Sequence, residues 1–114
     1  MSLDLEAIRD SNGQKTTELD VPELDGKLRV RMMSGTDLFR VTEHARRKPD
    51  DVDGQVRLLF IACVIDEQGK PLFTSQTVKA LMDKPSAMVM RLSEQIQGFC
   101  GMLDEDGEDD PEGN

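Results

Sequence analysis

The stretch TELDVPELDGKLRVRMM, residues 17–33, decides the fold that the sequence predicts. Two runs of alternating apolar and polar residues flank the pair Asp25–Gly26, which favours a tight β-hairpin because a primed turn needs positive φ. Pro22 confines the first run to a sheet edge or a bulge, since proline cannot donate to a neighbouring strand. The apolar residues of the two runs are Leu19, Val21, Leu24, Leu28, Val30 and Met32.

The second strand of this hairpin carries a basic stripe. Lys27, Arg29 and Arg31 alternate with the apolar residues and are expected to face outward. Residues 27–57 together hold eight basic and five acidic residues. Two interpretations stay open, a solvated strand face or a surface that receives an acidic segment of a partner or of the chain's own tail. Nucleic acid is a poor candidate because only 4% of the residues are aromatic, which leaves little for base stacking.

Helical patterns follow the hairpin. Ser34 is a good N-cap, Asp37 places negative charge in the first turn, and Pro49 stops the helix. Thr74 or Ser75 is suited to cap a short helix further on. A longer helix is predicted from near Pro85, with a buried stripe formed by Val89, Leu92, Ile96 and Phe99.

The segment of residues 56–65 has no decisive periodicity. Its β-branched residues suit a buried strand, followed by a hairpin loop at residues 66–69. Asp53 is equally suited to cap a buried helix over residues 55–65. Strand and helix both stay open on the residues alone.

The net charge of −9 belongs mainly to the C-terminal end. Seven acidic and no basic residues lie from Asp104 onward, and the rest of the chain has 14 basic against 16 acidic residues. We therefore predict an acidic disordered tail over residues 104–114. Residues 1–16 predict a flexible arm or a short helix that orders on a partner. A single α+β domain of a β-hairpin followed by three to four α-helices is expected over residues 17–103.

The chain offers no recognisable catalytic or metal-binding set. His44 is the only histidine and has no evident partner, and a zinc site lacks ligands. Cys63 and Cys100 lie in apolar surroundings without a CxxC motif and are interpreted as free thiols in a reducing cytoplasm. The longest apolar run, residues 58–65, is far shorter than the roughly 20 residues of a membrane span. We expect a non-enzymatic protein without cofactor or membrane.

The order of these features resembles the small tail assembly chaperones of long-tailed, lambda-like bacteriophages. The resemblance covers about residues 17–103 and rests on VPELDGKLRVR (21–31) followed by MSG (33–35), on VRL (56–58) through VIDEQGKPLF (64–73), and on the helix of residues 89–99. It favours a helix for residues 56–65. The acidic tail is not claimed as part of it.

The resemblance implies a chaperone that binds the long helical tape measure protein in the host cytoplasm and keeps it soluble. It also implies promotion of tail tube assembly, absence from the mature virion and self-association into a homo-oligomer. The tail tube protein and a longer frameshifted form of the chain are further candidate partners. An alternative is a virion structural protein of the head–tail connector or tail terminator type.

A binder of amphipathic helices needs adaptable apolar grooves, to which methionine is suited. The same methionines also suit core filling, above all Met88. The candidate partner-binding residues are Lys27, Arg29, Arg31, Met32, Met33, Met82 and Met90.

Overall fold

The computed structural model describes residues 2–10 and 15–102, which form a three-stranded antiparallel sheet and five α-helices. The strands are β1 Thr16–Val21, β2 Gly26–Arg31 and β3 Val64–Ile65. The helices are α1 Leu5–Asp10, α2 Gly35–Arg47, α3 Val52–Cys63, α4 Lys79–Met82 and α5 Ser86–Phe99. The predicted α+β class, with a hairpin followed by helices, is confirmed. The predicted tail of residues 104–114 lies outside the described residues.

The hairpin of β1 and β2 differs from the prediction in its turn. Pro22–Leu24 form a short 3-10 turn, and Asp25 takes the left-handed conformation with φ of 54°. Gly26 already pairs with Val21 in the ladder. The predicted tight turn centred on Asp25–Gly26 was wrong, because residues 22–25 connect the strands. Proline fixes the φ that the 3-10 turn needs, and aspartate tolerates the left-handed region that ends it. The strand order places β1 at the sheet edge, as Pro22 predicted.

The ambiguous segment of residues 56–65 contains both structures that the sequence left open. Helix α3 ends at Cys63, and the β-branched Val64 and Ile65 form β3 against β2. The chain then turns through residues 66–69, and Ile65 bridges to Pro71. Both β3 side chains are buried, because the strand runs directly from a buried helix into the sheet.

The N-cap of α3 is Asp51 and not Asp53. The Gly54 N–H donates to the Asp51 carboxylate at 3.1 Å, and His44 Nε2 lies 2.9 Å from the same group. Since His44 belongs to the last turn of α2, the cap also ties α2 to α3. Asp53, inside the first turn, instead pairs with Arg57 at 2.7 Å.

Gly54 makes this contact between α2 and α3 possible. A Cβ at this position would meet Asp51 Oδ2 at 2.2 Å and His44 Nε2 at 2.9 Å. Gly54→Ala is therefore expected to lower the free energy of unfolding by about 1 kcal/mol, although alanine is the better helix former. Gly35→Ala is the matched control, since apart from its chain neighbours and the backbone of its own helix no atom lies within 4 Å of its Cβ position. Urea denaturation measures the stability of both variants. Equal stability of the two variants would contradict this contact.

The short helix α4 begins later than predicted. Thr74 Oγ1 accepts from the Thr77 N–H at 3.1 Å and stabilises a turn, but α4 begins only at Lys79. The predicted cap at Thr74 or Ser75 was therefore wrong for α4, because Thr74 stabilises the turn that precedes the helix. Helix α5 follows directly after Pro85, as expected.

The core lies between the sheet and helices α3, α4 and α5. Met88 is 1% exposed, so the alternative of core filling is right for this methionine. Phe99 is only half-buried, whereas the other three residues of the predicted α5 stripe are buried. Fully or almost fully buried side chains include Val21, Val30, Phe60, Cys63, Val64, Val78, Leu92 and Ile96.

Helix α1 stands apart from this core. It buries no side chain, and its Leu5 and Ile8 are exposed. That this arm orders on a partner stays a prediction.

An ion pair joins the hairpin turn to α5. The Arg91 guanidinium donates to both carboxylate oxygens of Glu23, at 2.5 and 2.9 Å. The hydrogen bonds from Arg91, followed in effect by a backbone hydrogen bond to Glu23, lower the pKa of Glu23 from its ordinary value of 4.5 to about 2. The pair joins segments 68 positions apart in sequence and so links the hairpin turn to α5.

The stability that this pair contributes is expected to be lost in acid. A carboxyl whose pKa is lowered on folding stabilises the fold fully above its unfolded pKa, near 4.5, and loses that contribution as the pH falls through about 2. The thermal midpoint, measured at low salt because both side chains are partly exposed, should fall more in the wild type than in Glu23→Gln over this window. Glu18→Gln, at an exposed carboxylate of β1, is the control and should follow the wild type. Parallel curves for Glu23→Gln and the wild type would contradict the prediction.

Candidate protein-binding surface

An apolar groove, called here the helical groove, opens between α2, α3 and α5 with a volume of about 190 Å³. Its lining contains no charged side chain. Val52 and Met90 are the most exposed apolar residues of the lining, at 56% and 47%. The lining consists of Val41, Thr42, Ala45, Val52, Gln55, Val56, Leu59, Met90, Ser93, Gln97 and Met102.

Helix α5 and the residues just after it position two methionines in this groove, Met90 and Met102. Met90 follows the buried Val89 and so faces away from the core stripe. After the helix, Gly101 takes a φ of 74° and reverses the chain, and the Met102 N–H donates to the Gln97 carbonyl at 2.8 Å. This reversal brings Met102 into the groove lining.

Further apolar side chains on α2 lie next to the helical groove. Leu38 and Phe39 come three residues before the groove residues Val41 and Thr42, and are 38% and 76% exposed. Residues three apart are neighbours on a helix surface, so these side chains extend the apolar surface along α2. Phe39 was not among the predicted partner-binding residues. An aromatic residue outside the buried stripe of a helix is nevertheless a sequence signal for a binding surface.

The four predicted methionines do not form one surface. Met90 lines the helical groove, whereas Met33 and Met82 are half-buried and pack against the core. Met32 is half-buried just after β2, where its N–H donates to the Lys15 carbonyl at 2.8 Å. Of these four, the structure brings only Met90 to the groove.

The predicted basic stripe divides in the structure. Lys27 and Arg29 are exposed on β2. Arg31 is half-buried, its Nε donates to the Ala62 carbonyl at 2.9 Å, and its guanidinium lies 3.8 Å from the Asp37 carboxylate. Arg31 thus holds β2 to the end of α3 and the first turn of α2.

A second, larger cavity of about 390 Å³ lies along another face of α2 and is basic. Arg47 and Lys48 in its lining form no ion pair with any residue that the structure describes. Residues spaced by three and four share a helix face, so this spacing is visible in the sequence. The lining residues are Arg40, Glu43, His44, Arg47, Lys48 and Leu58.

Within residues 2–10 and 15–102, no three His, Cys, Asp or Glu side chains lie close enough together to hold a metal ion. No helix in this part of the chain is both long and apolar enough to cross a membrane. His44, the single histidine of the sequence, contacts Asp51 at the cap of α3.

Comparison with solved structures places this chain beside the tail assembly chaperone of bacteriophage HK97. The two superpose with a TM-score of 0.58 over 87% of this chain and 92% of that one, at 22% sequence identity. Comparisons with protein-family models and with curated proteins find no match. The chain therefore has the fold of a phage tail assembly chaperone, and the fold implied by the resemblance is confirmed.

Proposed function

We propose that this chain is a tail assembly chaperone of a long-tailed bacteriophage, which binds the tape measure protein and keeps it soluble in the host cytoplasm. It acts before tail tube subunits assemble and is absent from the mature virion. The observation that carries the proposal is the uncharged helical groove in a chain with this fold.

The groove suits the apolar face of an amphipathic helix. A helix laid in such a groove inserts side chains at positions i, i+3, i+4 and i+7. Because the lining holds no charge, docking buries no unpaired ion, which would otherwise cost several kcal/mol. Met90 and Met102 are unbranched and adapt to different side chains along a long partner.

The charge of the chain supports a role on a densely coated partner. Because the chain has a net charge of −9, complexes coated with it repel one another, and this repulsion opposes their precipitation. We include self-association on the tape measure protein in the proposal, with the tail tube protein and a longer form of the chain as further partners.

Co-expression with the tape measure protein tests the proposal. The tape measure protein alone is expected to be largely insoluble, and together with this chain it should become soluble and co-purify. A soluble coiled-coil protein of similar length serves as the control for non-specific binding. No gain in solubility and no co-purification would overturn the proposal.

Mass analysis of purified virions is a second test. A chaperone that leaves before maturation is missing from the particles. Stoichiometric presence would instead support a head–tail connector or tail terminator protein.

A further inference from the structure

The two cysteines of the chain lie side by side in the fold. Cys63 is the last residue of α3, Cys100 follows the last residue of α5, and their Sγ atoms are 3.9 Å apart. Both are free thiols, as the sequence predicted. Their proximity was not predictable from the sequence, because the packing of α3 against α5 brings together residues 37 positions apart.

We propose that Cys63 and Cys100 form an oxidation site, which closes to an intramolecular disulfide when the folded protein meets a small-molecule disulfide such as oxidised glutathione. The inference rests on this pair of thiols and is independent of the proposed function.

The geometry favours closure without unfolding. The sulfur atoms must approach from 3.9 Å to a bonding distance of about 2.05 Å, which shortens their separation by about 1.9 Å. Cys63 is fully buried at the point where α3 ends and β3 begins. Cys100 is half-buried at a helix end, just before the left-handed Gly101, so its side chain has the greater freedom to move.

The reaction has a defined order. Burial and the adjacent Cys100 raise the pKa of the Cys63 thiol, and only Cys100 is open to solvent, so the Cys100 thiolate attacks oxidised glutathione first. One glutathione thiolate leaves, and a mixed disulfide remains on Cys100. Cys63 then loses its proton and attacks Cys100 Sγ, which expels the second glutathione. Two protein thiols lose two electrons in total, and the two released glutathiones take up the electrons and the two protons.

The bond would join the ends of α3 and α5 and close the chain segment that carries β3, α4 and α5. A cross-link over a loop of this length restricts mainly the unfolded chain. It would also fix the start of the segment that turns Met102 into the helical groove.

Incubation of the full-length protein with oxidised glutathione under native conditions tests the site. Mass spectrometry should show a monomer lighter by about 2 Da that resists alkylation and regains both thiols with dithiothreitol. Its thermal midpoint should rise by roughly 10 °C. Cys63→Ala should stop at the glutathione adduct, and Cys100→Ser should not react.

Several results would overturn the site. These are a wild-type protein that stops at the glutathione adduct or stays alkylatable, a disulfide that forms only between molecules or only in urea, and an unchanged or lowered midpoint after closure. The wild-type measurements decide this even if a variant at the buried Cys63 fails to fold.

Discussion

Phe60→Ala is expected to lower the free energy of unfolding by about 3–5 kcal/mol. Phe60 is 0% exposed on α3 and is the largest fully buried side chain, so its removal takes apolar area out of the core and leaves a cavity. A domain of this size has a total stability of only about 5–15 kcal/mol, so the variant loses a large part of it. Urea denaturation followed by circular dichroism measures the change.

Phe39→Ala is the matched control for this loss. Phe39 is 76% exposed on α2, and its replacement should change the stability by no more than about 0.5 kcal/mol. A similar loss in both variants, or a small loss in Phe60→Ala, would contradict the core described for this fold.

Under the proposed function, Met90→Glu is expected to weaken binding of the tape measure protein about 10- to 100-fold. Burial of a methionine side chain contributes about 1.5–3 kcal/mol, and a carboxylate in an uncharged groove must in addition lose its hydration. About 1.4 kcal/mol corresponds to a tenfold change in Kd, so a loss of about 1.5–3 kcal/mol weakens binding by about 10- to 100-fold. Titration of the purified chain with a soluble fragment of the tape measure protein measures the Kd.

Leu72→Glu provides the control at equal exposure. Leu72 is 45% exposed against 47% for Met90, but it lies after β3 and is not part of the helical groove. Its variant should bind like the wild type, and both variants should keep the wild-type unfolding curve. Wild-type affinity for Met90→Glu, or equal weakening in both variants, would exclude the groove as the binding surface.

The features that the sequence predicted correctly depend on local chemistry. Ser34 caps α2, accepting from the Asp37 N–H at 3.1 Å, because a cap is decided within three residues. The buried stripe of α5 follows in the same way from helical spacing. The cap at Asp51 was missed because the start of α3 is set jointly with His44 of the neighbouring helix.

The candidate site was less predictable because it depends on tertiary packing. Methionine fills cores and lines binding surfaces equally well, so the sequence could not separate Met82, which packs on the core, from Met90 in the groove. Likewise, alternation predicted an outward Arg31, but α2 and α3 cover its side chain. Met102 entered the groove only through the chain reversal at Gly101.

A photo-crosslinking amino acid in place of Met90, introduced during co-expression with the tape measure protein, tests the central claim most directly. We predict a covalent adduct with the tape measure protein from position 90 and little or none from the same amino acid at position 72. No adduct from position 90, or equal adducts from both positions, would contradict docking of a helical partner in the groove between α2, α3 and α5.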